Sequence, residues 1–415
     1  MKIAFITLGC KLNYAETSTY ERGFAAAGLE VVPWREKADV YLINTCTVTA
    51  TANKKSRNEI RKVHRINPDA RIIVAGCYAQ MKPDEVRAIE GVSRVFLSSE
   101  KHLVVPETLE MLSMKAAGAV PEAVPVFGAY SFGERTRAFL KVQDGCDNFC
   151  KYCTVPYARG RSRSLRICEV LKQAEELAAA GAVEIVLTGV NTGDFGRDTG
   201  ESFPALLKAL DKVEGIERYR ISSIEPNLLT DEIIDWIASG TKFQPHFHIP
   251  LQAGTDEILQ KMGRRYTTAF FAEKIARIRE AMEAPGKPEV FFGIDVMAGL
   301  PGESDELFRR GVAFLEELRP AFLHVFPYSK RPGTPAAGMP EQVPEQVKAE
   351  RVAVLEELSA RLHADFVERN RGVHEKVIFE SREKDGRMGG YTGNYIRITR
   401  PYDAALVGKL TEIVI

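Results

Sequence analysis

The sequence predicts an α/β protein in three parts: an N-terminal open parallel α/β sheet domain over residues 1–115, a central partial (β/α)6 barrel over 136–364, and a small all-β domain over 365–415. A linker at 116–135 separates the first two. Three observations carry this. Short apolar runs alternate with amphipathic helical patterns through the first hundred residues; the same alternation recurs about six times from Ala138 to Pro327; beyond Asn370 only short β-like runs remain.

In the first part the strands are Ile3–Leu8, Val40–Ile43 and Ile72–Ala75, with helical segments near Ser18–Ala27 and Lys54–Arg65. Each strand runs into a cysteine: Gly9-Cys10, Asn44-Thr45-Cys46 and Gly76-Cys77. The carboxyl ends of strands in an open α/β sheet share one crevice, where ligands bind. Cys10, Cys46 and Cys77 therefore converge as a metal site that no local motif advertises; the alternative is three separately buried cysteines.

After a short helix, Ala116–Pro125 alternates small residues and prolines, as suits a semi-extended linker. The central strands are Ala138–Val142, Val183–Leu187, Arg218–Ser222, His246–Pro250, Val290–Met297 and Phe322–Pro327, with helices such as Glu169–Ala180, Glu257–Met262, Glu273–Glu283 and Glu306–Leu318 between them. Six βα units with right-handed crossovers wind into a partial barrel, with chemistry at the carboxyl ends of its strands. A helical segment, Glu341–Asn370, leads to β-like runs at Glu375–Phe379, Tyr391–Gly393, Ile396–Thr399 and Leu406–Ile415.

Just after the first central strand, Cys146, Cys150 and Cys153 stand at the spacing C-x3-C-x2-C. A closed iron-sulfur cluster takes four cysteines, so three leave one iron open. A zinc knuckle lacking its fourth ligand, or structural cysteines, are the plainer readings. The run from Gln143 to Cys153, with Phe149 and Tyr152 interleaved, resembles the signature of radical S-adenosylmethionine enzymes. The resemblance implies a 4Fe-4S cluster whose open iron chelates S-adenosylmethionine and releases a 5′-deoxyadenosyl radical.

Later strand ends offer contacts to that cofactor. Gly189 and Asn191 lie in a glycine-rich turn after the second central strand; His248 and Gln252 lie in the block His248–Gly254; Asp295 opens the block Asp295–Glu303; Tyr328 opens the block Tyr328–Ala336. Together with the two cysteine sets, these blocks are similar to the methylthiotransferases among radical S-adenosylmethionine enzymes, over almost the whole chain. Gly9-Cys10-Lys11-Leu12-Asn13 is similar to the subgroup acting on N6-threonylcarbamoyladenosine in tRNA, rather than on isopentenyladenosine or a ribosomal-protein aspartate. Two departures stand out: Ala253 replaces a common serine, and the tail, in the place of a TRAM-like RNA-binding β-barrel, is short.

What the resemblance implies is a second, auxiliary 4Fe-4S cluster on Cys10, Cys46 and Cys77. One S-adenosylmethionine methylates a sulfur there, and a second yields the radical that removes hydrogen from C2 of the adenine beside the anticodon. A non-catalytic iron-sulfur protein that binds RNA is the reading of another class.

Composition bears on partners. With 45% hydrophobic and 27% charged residues the chain is an ordinary soluble protein, and 56 basic against 56 acidic residues give nucleic acid no support from net charge. Two local runs do: Lys54, Lys55 and Arg57 in the first, Arg159, Arg161 and Arg163 in the second. Nothing approaches the roughly 20 apolar residues of a membrane span. Seven cysteines without a secretory signal point to a reducing cytoplasm, with Cys168 left over for packing. The expected partners are tRNA, an electron donor and a sulfur donor, around a monomer.

Overall fold

The computed structural model describes residues 1–114, 127–131, 136–382 and 385–415. The linker stretch expected at Ala116–Pro125 lies outside them. The N-terminal sheet is parallel and five-stranded, in the order β2-β1-β3-β4-β5, from β1 (Lys2–Thr7), β2 (Glu30–Val31), β3 (Val40–Thr45), β4 (Arg71–Gly76) and β5 (Val92–Val95). The three expected strands are its centre. β3 is buried at every residue, which is why it reads as a continuous apolar run. The two edge strands escaped sequence reading because β2 is two residues long and exposed, and β5 has one buried residue.

Apolar clusters cover both faces of this sheet. Ala4, Ile6, Tyr41, Ile43, Ile72 and Val74 point to one side, and Ile3, Val40, Leu42 and Ile73 to the other. The first helix, Lys11–Ala26, starts directly at Cys10 and so is a turn or two longer than its apolar periodicity shows. The helix Ala50–Ile66 is stopped upstream by Thr49, whose side chain accepts from the Ala52 amide.

Strand β6 (Ala129–Ser131), inside the expected linker, pairs antiparallel with β7 (Arg137–Lys141). The chain then forms β8 (Gln143–Asp144) and β9 (Arg163–Ser164), a two-stranded clasp around the Cys146–Cys153 loop. Next come β10 (Glu184–Thr188), β11 (Arg218–Ile221), β12 (His246–Gln252), β13 (Phe291–Ala298) and β14 (Phe322–Pro327). Strands β7, β10 and β11 pair in parallel, as do β12, β13 and β14. Isolated parallel bridges, Tyr219 with Phe243 and Ser223 with His248, join the two halves into a six-stranded partial barrel.

Alternation along these strands separates two surfaces. Ala138, Leu140, Ile185, Leu187, Tyr219, Phe247, Ile249, Phe292, Ile294 and Leu323 join the main apolar core shared with the surrounding helices. The intervening positions, among them Arg137, Arg220, His246, His248, Asp295 and His324, turn to the concave side.

The long helix Glu345–Arg369 leads to the tail, an antiparallel sheet of β15 (His374–Arg382), β16 (Arg387–Thr392), β17 (Arg397–Pro401) and β18 (Leu410–Val414) in the order β17-β16-β15-β18. It is bolted to the barrel. Arg220 donates to the carbonyls of Thr392 and Gly393 at 2.7 Å each, and Arg137 donates to the Tyr395 hydroxyl at 3.0 Å. Among the described residues no helix is long and apolar enough to cross a membrane.

Candidate active site

Cys10 and Cys77 sit at helix starts after β1 and β4, and Cys46 follows β3 directly, so the parallel sheet delivers all three to one edge. The approach is close. Gly9 has φ +103°, and a Cβ there would stand 2.8 Å from Cys46 Cβ, so only glycine lets the first loop pass the second. Burial pushes the Cys77 thiol up to about 11, with Cys10 and Cys46 adding to the rise and Arg159 and Lys101 opposing it. Cys46 is raised by burial too, and again by Cys10. The three thiols thus share one electrostatic environment, from Cys10, which is exposed, to Cys77, which is buried.

The second set lies in the loop between β8 and β9. Gly145 enters it at φ +76°, with its α-carbon so placed that a Cβ would lie 2.0 Å from the Arg161 carbonyl oxygen. The Cys146 amide donates to the Gly160 carbonyl at 3.1 Å, closing the loop. Backbone amides of Asn148 and Val155 point at Cys146 Sγ and Cys153 Sγ, each at 3.4 Å. Burial raises Cys146 to about 11 and Cys153 to about 12, and in both the neighbouring thiols add to the rise.

Arg264, which sequence reading passed over, supplies the local cation. Its Nη1 is 3.1 Å from Cys150 Sγ, its Nε donates to the Tyr266 hydroxyl at 3.0 Å, and its Nη2 pairs with Glu225. Nothing in its sequence context, Gly263-Arg264-Arg265-Tyr266, separates it from a surface arginine.

The two sets are linked through a buried ion network. Arg159 Nη1 donates to Asp144 Oδ1 at 2.9 Å and lies 3.3 Å from Glu16 Oε1; its Nη2 reaches Cys10 Sγ at 4.0 Å. Lys141 and Lys101 complete the network on Glu16, at 2.8 and 2.7 Å. Burial alone would raise the Glu16 carboxyl, but Lys101, Lys141 and Arg159 hold it far below the carboxylate range; Asp144 is held low by the same cations. Three cations face two carboxylates, so one positive charge remains beside the thiols of the N-terminal sheet. On the opposite side, Arg331 donates to Thr47 Oγ1 at 2.8 Å and the Ala50 amide donates to Ser329 Oγ at 3.3 Å, tying the Cys46 loop to the loop after β14.

Three thiols beside backbone amides or a cation are a soft anionic donor set of the kind iron takes. The raised thiols add that occupation would displace protons.

Residues 2–98 match the model of a family described as uncharacterized protein family UPF0004, and residues 140–315 match that of the Radical SAM superfamily. The chain is 41% identical to threonylcarbamoyladenosine tRNA methylthiotransferase MtaB of Bacillus subtilis, over 99% of this chain and 93% of that protein. With the protein of the same description from Aquifex aeolicus it shares 38% over the whole of both. This chain belongs to the radical S-adenosylmethionine tRNA methylthiotransferases.

Such a methylthiotransferase is an enzyme that transfers sulfur-containing groups, and its superfamily uses a 4Fe-4S cluster and S-adenosylmethionine. The chain is also 32% identical to the tRNA-2-methylthio-N(6)-dimethylallyladenosine synthase of Carboxydothermus hydrogenoformans, over 98% of this chain and 95% of that one. In fold it is similar to the radical S-adenosylmethionine methyltransferase TsrM from Kitasatospora setae, with a TM-score of 0.58 and 16% identity over 81% of this chain and 74% of that one.

The methylthiotransferase's other expected contacts divide. The glycine-rich turn is held to the cysteine loop by Gln143, whose Nε2 donates to the Gly145 carbonyl at 2.8 Å while its Oε1 accepts from the Val190 and Asn191 amides at 2.9 and 3.0 Å. Gly189 leaves room for that Oε1, which a Cβ would meet at 2.9 Å. The Asn191 side chain is buried and spent on Asp194 and the Glu225 amide. Gln252 sits at a bulge in β12 with φ +75°.

His248 Nε2 and Asp295 Oδ1 are 2.6 Å apart on neighbouring strands, and His324 of β14 joins them, the three ligating atoms lying within 4.8 Å of one another. Burial and His248 together push His324 down to about 4. Its only sequence signal was its place in the strand alternation.

Three expectations need correcting. Tyr328, expected at the cofactor, packs in the apolar core under Lys348. Arg159, expected on RNA, is 4% exposed and committed to the ion network. Cys168, expected as packing, is exposed, because its helix turns Val170, Ala174 and Leu177 inward instead. Of the other basic residues, Lys54 and Lys55 are exposed, whereas Arg57 is spent on Glu85 and Tyr78. Arg163 donates to the Arg159 carbonyl, and Arg161 lies 4.7 Å over the exposed Phe149 ring, itself edge-on to exposed Tyr157.

Proposed function

We propose that this enzyme converts N6-threonylcarbamoyladenosine beside the anticodon of tRNA into its 2-methylthio derivative. Cys146, Cys150 and Cys153 would hold the 4Fe-4S cluster at which S-adenosylmethionine binds, and Cys10, Cys46 and Cys77 an auxiliary 4Fe-4S cluster. The observation that carries this is the junction at Arg159, one side chain that reaches Cys10 and also holds the strand leading into the Cys146 loop. Bound together, the two clusters and S-adenosylmethionine would supply the radical and the sulfur needed to replace an unactivated C–H bond, which no side-chain acid or base opens.

The chain's own residues do the arranging. Arg264 offsets charge at Cys150, the Arg159 network offsets charge at Cys10 and Cys77, and Gln143 fixes the glycine-rich turn over the cysteine loop. His248 and Asp295, paired on neighbouring strands, face the concave side of the barrel. Exposed Phe149 and Tyr157 with Arg161 offer base stacking and phosphate contact at the rim. Electron and sulfur donors are required partners, and the cytoplasm, where tRNA is modified, is the location that suits the reduced cysteines.

The test is mass spectrometry of tRNA nucleosides from cells with and without the protein. Loss of the 2-methylthio derivative with accumulation of N6-threonylcarbamoyladenosine is expected; an unchanged nucleoside profile overturns the reading, and a change confined to isopentenyladenosine moves the substrate to that base.

A further inference from the structure

A cavity of about 250 Å³ opens between the first loop of the N-terminal domain, the concave side of β7, β10 and β11, and the tail. At roughly 30 Å³ per water it has the room of about eight waters, enough for one small amino-acid group. Its lining carries Lys11, Arg137 and Arg220, and no carboxylate among the described residues. His246 and Tyr395 supply its aromatic walls.

The three cations are not equivalent. Arg220 is paired with Glu184 at 2.8 Å and caps two tail carbonyls; Arg137 is paired with Glu380 at 3.0 Å and holds Tyr395. Among the described residues Lys11 makes no hydrogen bond or ion pair, although its ammonium stands within electrostatic reach of Tyr395, Arg137, Arg220 and Asp295. It also opens the helix Lys11–Ala26, whose first turn holds no acidic residue, so the helix dipole adds to the positive field. Lys11 is exposed at the mouth of a cavity whose other cations are already used. Such a place suits an incoming anion.

We infer that Lys11 binds the carboxylate of the N6-threonylcarbamoyl group, so that this cavity makes the enzyme prefer an anionic N6 substituent to an apolar one. The inference rests on the proposed function and adds the residue that reads the substrate. Chemistry supports the placement. C2 and C6 of adenine flank the same ring nitrogen, so a reagent at C2 and a substituent on N6 must be held side by side. Cys10 and Lys11 are side by side in the chain, one toward the thiol set and the other toward the cavity.

The experiment uses the full-length, anaerobically reconstituted enzyme and three anticodon stem-loops, carrying threonylcarbamoyladenosine, its carboxamide analogue, and isopentenyladenosine. The parent enzyme is expected to favour the carboxylate over the carboxamide by about tenfold in kcat/KM, the loss that follows when one charge-assisted hydrogen bond is removed. In Lys11→Met that ratio falls to near one, in binding as in turnover, and Lys11→Arg restores part of it. A parent that takes carboxylate and carboxamide equally overturns the assignment without any variant, as does a Lys11→Met enzyme of parental selectivity. If the parent turns over none of the threonylcarbamoyl substrate but does act on isopentenyladenosine, the functional reading itself has failed. Iron content per chain shows whether the variants keep both cysteine sites filled.

Discussion

The Arg159 guanidinium donates to the Asp144 carboxylate at 2.9 Å and reaches Cys10 Sγ at 4.0 Å, so one side chain ties the strand entering the Cys146 loop to the thiols of the N-terminal sheet. The network around it carries three cations and two carboxylates, all buried, and its imbalance sets an order of sensitivity. Arg159→Met leaves two cations on two carboxylates and loses mainly charge-assisted hydrogen bonds, about 2 kcal/mol. Glu16→Gln leaves three cations on one carboxylate and costs about 4 kcal/mol. Anaerobic thermal unfolding should therefore place Glu16→Gln well below Arg159→Met; the reverse order would mean that the network does not balance charge as its distances imply.

The same network predicts a pH dependence. Glu16 and Asp144 are held below their ordinary range, outweighing the burial that would raise them, by Lys101, Lys141 and Arg159. An acid with a depressed folded pKa contributes stability that is fully present above its unfolded value, about 4, and is lost as pH falls toward the folded one. The difference in unfolding midpoint between parent and Glu16→Gln should be widest near pH 7 and shrink on acidification toward about pH 3. A constant difference would assign the cost of Glu16→Gln to packing.

The two cysteine sets separate by substitution. Cys150→Ala should abolish reductive cleavage of S-adenosylmethionine, and Cys46→Ala should leave cleavage measurable while no methylthio product forms. Each should lower bound iron from about eight to about four per chain. Equal loss of cleavage in both would place all the iron chemistry at one site.

How much of this was legible depended on the kind of signal. The central strands and the cysteines at their ends could be read because burial on both faces makes β3 and β4 continuous apolar runs, and because strand ends in a parallel sheet must converge. β2 and β6 could not, being two and three residues long with little buried. Arg159 misled because four arginines in a short run look like a charged surface, while its commitment to Glu16 and Asp144 depends on residues 143 and 15 positions away. Arg264 and His324 reach Cys150 and the His248–Asp295 pair by tertiary placement alone, and no local pattern marks either.

Gly145 gives a backbone test of the cysteine loop. With φ +76° and a Cβ position 2.0 Å from the Arg161 carbonyl oxygen, Gly145→Ala must displace one side of the clasp formed by β8 and β9. Strain of this kind costs of order 1–3 kcal/mol and falls on the loop rather than on the barrel core. The variant should keep its far-ultraviolet circular dichroism yet bind less iron and cleave S-adenosylmethionine slowly. Full iron content would show that the loop can open without losing its thiols.

Arg264 gives a test of charge at Cys150. The guanidinium lies 3.1 Å from the sulfur, is buried, and is held by Glu225 and Tyr266, so it cannot swing away as the charge on the thiolates changes. A fixed cation stabilises whichever state carries the extra electron, so removing it should make the cluster proposed at Cys146, Cys150 and Cys153 harder to reduce. Arg264→Met is expected to lower the midpoint potential by about 60 mV, a tenfold change in the reduced fraction for a one-electron couple, and to slow S-adenosylmethionine cleavage with a weak reductant more than with a strong one. Arg264→Lys keeps the charge but loses the fork that grips Tyr266 and Glu225 together, and should recover most of the potential. A spectroscopic redox titration in which Met and Lys variants shift equally would show that Arg264 acts by shape, positioning Tyr266 and Glu225, rather than by its charge.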